Sequence, residues 1–128
     1  MVYFPHQVYH SFEYLAATYY DVLSLDTLCD PVQIYNWIRK PTIHPGLEEF
    51  APAQFRLLTL QGNFPPNYLF APLDRIPELC TRMLERYSGI CHIVNLGHGM
   101  LPQHTPEAVQ QLLRTVRNHR GGSDVCKK

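Results

Sequence analysis

Residues 91–99 read Cys91-His92-Ile93-Val94-Asn95-Leu96-Gly97-His98-Gly99. The near-continuous apolar run is the signature of a buried strand, and the two glycines around a histidine mark where it ends. Just downstream, Thr105 is a good N-cap with Pro106 at the first helical position. A helix is expected from there to about Asn118, with Val109, Leu112, Leu113 and Val116 facing inward. Working back from Cys91, a helix is expected from about Leu73 to Tyr87. Asp74 suits its first turn, and Ile76, Leu79, Cys80, Met83 and Leu84 form its apolar stripe.

The same alternation continues upstream. Arg56-Leu57-Leu58-Thr59-Leu60 reads as a strand that runs into Gln61-Gly62-Asn63, before Pro65-Pro66. Asp21-Val22-Leu23-Ser24-Leu25-Asp26 is a short buried strand ending in a carboxylate. Phe12, Leu15, Ala16 and Tyr19 recur at helical spacing between Ser11 and Tyr20, and Met1-Val2-Tyr3-Phe4 is strand-like. Between Thr27 and Ala53 the chain is broken by Pro31, Pro41, Pro45, Pro52 and Gly46. Gln33–Arg39 reads as a short helix there, with Ile34, Trp37 and Ile38 on one face, and Pro41 stops it. The rest of 27–53 reads as an irregular insertion, and Gly121–Lys128 as a flexible tail.

Strand and helix thus alternate four times over residues 1–120. Apolar strands alternating with amphipathic helices indicate βαβ units and parallel pairing. The fold class is α/β. Four such units are the half of a (β/α)8 barrel, and a small open α/β sheet is the alternative that periodicity leaves standing.

Composition narrows the function. The 128 residues are 45% apolar and 17% charged, with 11 Lys+Arg balancing 11 Asp+Glu. One core is affordable at this length. A balanced charge argues against nucleic-acid binding, which needs clustered cations, and the hydrophobicity argues against disorder. No apolar run is long enough to span a bilayer, and no signal-peptide pattern opens the chain, so an intracellular protein with no membrane partner is expected. The cysteines Cys29, Cys80, Cys91 and Cys126 form no C-x-x-C pair and read as reduced structural thiols.

In parallel α/β folds ligands lie beyond the carboxyl ends of the strands. That rule selects Pro5-His6, Asp26, Gln61-Gly62-Asn63 and Gly97-His98-Gly99. The glycines beside His98 bring backbone and imidazole close to a ligand, and an imidazole donates to carboxylates or moves protons near neutral pH. The plain alternative is a turn histidine bonded to a nearby carbonyl. Asp26 suits capping or structure better than a general base. No G-x-G-x-x-G or P-loop pattern is present. His6, His10, His44, His92, His104 and His119 lack the spacing of metal ligands and read as surface or satisfied core residues. Trp37 and Tyr19-Tyr20 read as packing residues.

Thr59-Leu60-Gln61-Gly62-Asn63, followed by His92-Ile93-Val94-Asn95-Leu96-Gly97-His98-Gly99, resembles the uroporphyrinogen decarboxylase family. Leu101-Pro102 and Thr105-Pro106-Glu107 continue the likeness, and Asp21–Asp26 resembles that family's V-x-L-D strand. The resemblance implies a (β/α)8 barrel that decarboxylates the four acetate side chains of uroporphyrinogen III to give coproporphyrinogen III in heme synthesis. It implies no metal or organic cofactor, a cytoplasmic location and, in full-length members, a homodimer. It further implies that His98 is catalytic, contacting a substrate carboxylate or aiding proton transfer. Asn95, Gly97 and Gly99 would shape the His98 loop, and Gln61 and Asn63 would line or brace the neighbouring strand end.

The departures are equally informative. The likeness covers only the family's C-terminal part. The aspartate that binds the pyrrole N–H groups, and the substrate-binding arginines, belong to the N-terminal half. The family usually has Leu-Asp-Trp where this chain has Leu25-Asp26-Thr27, and Asn-Leu-Asp-Pro where it has Asn63-Phe64-Pro65-Pro66. Little or no decarboxylase activity is therefore expected of this chain alone. A non-catalytic half barrel acting as an interaction module is the competing expectation. A barrel methyltransferase is disfavoured, because no cluster of Cys and His ligands is present.

Overall fold

The computed structural model describes residues 2–3, 20–39 and 59–119. The expected helix at Ser11–Tyr20, most of the 27–53 insertion beyond residue 39, and the tail lie outside these residues. The elements in chain order are β1 (Val2–Tyr3), β2 (Val22–Ser24), α1 (Pro31–Arg39), β3 (Thr59–Phe64), a 3₁₀ turn (Pro66–Phe70), α2 (Ile76–Arg86), β4 (His92–Leu96) and α3 (Pro106–Asn118).

The strands form one parallel sheet in the order β1-β2-β3-β4. Leu23 sits opposite Leu60, and Leu60 opposite His92, so one face of the sheet is continuous across three strands. That face carries Leu23, Leu25, Leu60 and Phe64, all buried, with Val94 and Leu96 packed against them. The helices cover it with Ile34 and Ile38 from α1, Ile76, Cys80, Met83 and Leu84 from α2, and Ala108 and Leu112 from α3. The opposite face carries Ser24, Gln61, Ile93 and Asn95, as the twofold alternation of a strand requires. Ile93 is 44% exposed there.

Capping chemistry sets the helix starts. Asp30 Oδ1 accepts the N–H groups of Val32 at 2.9 Å and Gln33 at 3.3 Å, which starts α1 at Pro31, two residues before the expected position. Arg86 Nη2 donates to Asp30 Oδ2 at 2.8 Å and fastens the end of α2 to the start of α1. Burial pushes the Asp30 carboxyl up, but those backbone donors and the Arg86 guanidinium outweigh it and hold the group below its usual value. In α3, Thr105 Oγ1 accepts from Ala108 N at 3.3 Å and Pro106 opens the helix, as expected.

Further expectations are corrected in and beside the helices. Helix α2 begins at Ile76, so Asp74 lies in the preceding turn, where Arg75 N bonds Pro72 O at 2.9 Å, and the acid of the first helical turn is Glu78. Leu113 does not face inward: α3 lies at the β4 edge of the described sheet, and Leu113 is 49% exposed there. Trp37 is exposed, whereas Ile34 and Ile38 of the same helix are buried, because the indole flanks the buried stripe instead of lying on it.

Cys29 and Cys80 are buried and stand outside any disulfide, and burial pushes the Cys80 thiol up to about 11, so it stays protonated. Cys91 departs from the reduced-thiol expectation, being disulfide-bonded. No described helix is long and apolar enough to cross a membrane.

Candidate active site at the carboxyl ends of the strands

The parallel pairing brings the ends of β2, β3 and β4 to one rim. Gly97 N donates to Phe64 O at 2.9 Å, so the ladder continues one residue past β4 and delivers His98 to the edge of the sheet. A groove of about 450 Å³ opens at this rim, lined by Ser24, Gln61, Asn95, Leu96, His98, Gly99 and Met100. Four of the residues singled out by sequence therefore share one cleft: Gln61, Asn95, His98 and Gly99. Gly97 and Asn63 lie beside it.

Each has a different task. His98 is exposed, and its Nδ1 lies 3.3 Å from Thr27 Oγ1. Asn95 is exposed on the sheet face opposite the described helices, and its Oδ1 accepts the Leu96 N–H at 2.8 Å, which turns its amide N–H groups outward. Gly97 is buried because a Cβ there would stand 2.6 Å from Thr27 N and 2.9 Å from Thr27 Cα; only glycine permits that approach. Gly99 has open space around it.

Asn63 is not in the groove. It is buried behind the rim, and the Gly62–Asn63 peptide is cis. Its Nδ2 donates to Asp26 O at 2.9 Å and Cys29 O at 2.8 Å, while its Oδ1 accepts from the Tyr87 hydroxyl at 2.9 Å. The bracing role expected for Asn63 has this physical form. Tyr87 went unnoticed in the sequence, because nothing local distinguishes it from a helix-terminal core tyrosine. Burial pushes its phenol well above the ordinary range, so it is a hydrogen-bond donor at all ordinary pH.

Asp26 is 4% exposed and accepts from Thr27 Oγ1 at 3.0 Å and Leu28 N at 3.2 Å, in keeping with its reading as a capping group. His92 lies away from the groove. Its ring stacks on Tyr87 at a centroid distance of 3.5 Å, and its Nε2–H donates to Gly62 O. Burial pushes its imidazole below the usual value, partly offset by that bond. His104 is buried, accepts Leu101 N at Nδ1 (3.1 Å) and leaves Nε2 without a partner. Among the described residues no group of three or more His, Cys, Asp or Glu is placed to hold a metal ion. Pro5-His6 lies outside the described residues.

The described sheet is a parallel α/β sheet with a glycine-flanked imidazole at the carboxyl ends of its strands, where parallel α/β folds bind their ligands. The chain matches the family model described as Uroporphyrinogen decarboxylase (URO-D) over residues 1–119, and it belongs to that family. It is 33% identical over 119 residues to the uroporphyrinogen decarboxylase of Salinibacter ruber, covering 93% of this chain and 29% of the relative. It is 31% identical over 119 residues to that of Danio rerio, covering 93% and 28%. Identity to that of Protochlamydia amoebophila is 45% over 65 residues, covering 50% and 18%. The chain thus spans less than a third of the length of the first two relatives.

Proposed function

We propose that this chain is a C-terminal part of a uroporphyrinogen decarboxylase, the carboxy-lyase that converts the four acetate side chains of uroporphyrinogen III to the methyl groups of coproporphyrinogen III. In this reading residues 1–120 belong to a (β/α)8 barrel, with an insertion at about 27–53, and the stretch 121–128 lies outside both the barrel and the described residues. The observation that carries the reading is the convergence of Gln61, Asn95 and His98 on one groove at the carboxyl rim. Strand order supports the barrel. The sequential parallel strands carry all the described helices on one face, as in a barrel, whereas an open doubly wound sheet reverses its strand order to cover both faces.

Each decarboxylation breaks the bond between an acetate methylene and its carboxylate. Carbon dioxide leaves, the electron pair passes into a protonated pyrrole, and the methylene gains a proton to become a methyl group. His98 is the catalytic residue of this chain: it donates to a substrate carboxylate or relays the proton. Gln61 and Asn95 offer amide groups to the substrate, Gly97 and Gly99 shape the loop, and Asn63 braces it. Among the described residues no Arg, Lys, Asp or Glu lines the groove; in this reading the anion that meets the developing positive charge and the cations that grip the remaining carboxylates are supplied from outside the described rim. The reading includes a cytoplasmic location, a tetrapyrrole substrate, no cofactor, and a homodimer in the complete enzyme.

The test is turnover of uroporphyrinogen. The isolated chain is expected to show little or none; a rate within a few-fold of a complete decarboxylase refutes the fragment reading. Joined to the N-terminal part of a relative, it is expected to turn over, with His98→Asn slower by about 10²-fold.

A second reading is favoured by two features. Exposed Ile93 on the sheet face opposite the described helices, and a groove of about 300 Å³ lined by Val94, Leu96, Met100, Val109 and Leu113 at the β4 edge, suit a half barrel that pairs with another chain without catalysing. Stable pairing without turnover in the same assay supports it.

A further inference from the structure

Behind the His98 ring runs a chain of hydrogen bonds that begins in the helix layer. Tyr87 donates to Asn63 Oδ1 at 2.9 Å, and Asn63 Nδ2 donates to the carbonyls of Asp26 at 2.9 Å and Cys29 at 2.8 Å. The amide orientation is self-consistent, since the reverse would set its oxygen against two carbonyls. The loop after β2 is thereby stapled to β3 at both its ends. Within it, Thr27 Oγ1 donates to Asp26 Oδ1 at 3.0 Å and stands 3.3 Å from His98 Nδ1.

A hydroxyl has one proton. Thr27 directs it to the Asp26 carboxylate, so toward His98 it presents only a lone pair. The contact is a hydrogen bond only when Nδ1 of His98 carries a proton. We propose that Asp26 and Thr27 are positioning residues that hold His98 with its proton on Nδ1, leaving Nε2 as the nitrogen offered to a ligand, and that Asn63 and Tyr87 are positioning residues that keep this loop in register. The Thr27 hydroxyl reaches His98 while its methyl packs where a Cβ on Gly97 would stand, 2.5 Å away, so bonding and packing are separable by substitution.

The proposal rests on His98 being the imidazole of the site, as proposed above, but its readout is a tautomer and not turnover. A failed decarboxylation assay leaves it standing, and its own failure leaves the decarboxylase reading standing. The experiment is ¹⁵N NMR of the histidine rings in the full chain at neutral-to-alkaline pH, with His98 assigned by its loss in His98→Asn. In the wild type the Nδ1–H form of neutral His98 is the expected major species; a major Nε2–H form overturns the proposal without any variant. Thr27→Val keeps the methyl and loses the hydroxyl, and is expected to shift the ratio toward Nε2–H. Thr27→Ser keeps the hydroxyl and is expected to restore the wild-type ratio. If serine behaves like valine, packing governs the ring and the bridge is refuted. Tyr87→Phe is expected to shift the ratio in the same direction as Thr27→Val; an unchanged ratio overturns the anchoring role.

Discussion

The two glycines beside His98 are not equivalent. Gly97 is wedged against the Thr27 backbone, whereas Gly99 borders open space. Gly97→Ala forces backbone to move and is expected to cost about 1–3 kcal/mol in urea unfolding, while Gly99→Ala stays within about 0.5 kcal/mol of wild type. Asn63→Ala strands the Tyr87 hydroxyl and two carbonyls in the interior and is expected to cost about 3 kcal/mol by the same measurement. At this scale the sequence exposed the surface of the site and hid its support. His98 and Gln61 are legible because glycine punctuation and strand ends are local signals. Thr27 and His98 are 71 residues apart, and Tyr87 and Asn63 are 24 apart, so nothing in sequence marks them as partners.

At the scale of elements, end chemistry and one-sided packing explain both the successes and the failures. The Thr105-Pro106 start of α3 is written in its residues, and Thr105→Ala is expected to lower stability by about 1 kcal/mol. The start of α2 is not written as clearly, because Asp74 looks like a first-turn acid, whereas the Pro72–Arg75 turn precedes the helix. Leu113 fits the helical period as a core residue, but periodicity does not know where a sheet ends. Two groups give the fold a common pH response. His92 is pushed below its ordinary value of 6.5, so the unfolded chain binds its proton first and stability falls as pH drops below that value. Asp30 is held below 3.8, so its contribution is present above that pH and is lost as pH falls through its folded value. Thermal unfolding is expected to show a decline beginning near pH 6.5, which His92→Gln removes, and a second loss in strong acid, which Asp30→Asn removes.

For the molecule as a whole, the decisive fact is that every described helix packs on one face of the sheet. The α/β alternation that dictates this arrangement was legible, since strand period and helix period differ. Whether the sheet curls or stays open was not, because that depends on strand order and on partners. The exposed Ile93 and the apolar groove at the β4 edge are expected to bind the dye ANS, and the signal is expected to fall when the N-terminal part of a relative is added. Leu113→Lys is expected to weaken that association, read by analytical ultracentrifugation.

The exposed apolar side chains also set how the chain behaves as it becomes concentrated. Ile93 is 44% exposed and Leu113 49% exposed, and apolar surface of that kind adheres to a second copy. While such pairs are scarce their number grows with the square of concentration, so diluting the protein about twofold leaves roughly a quarter of them.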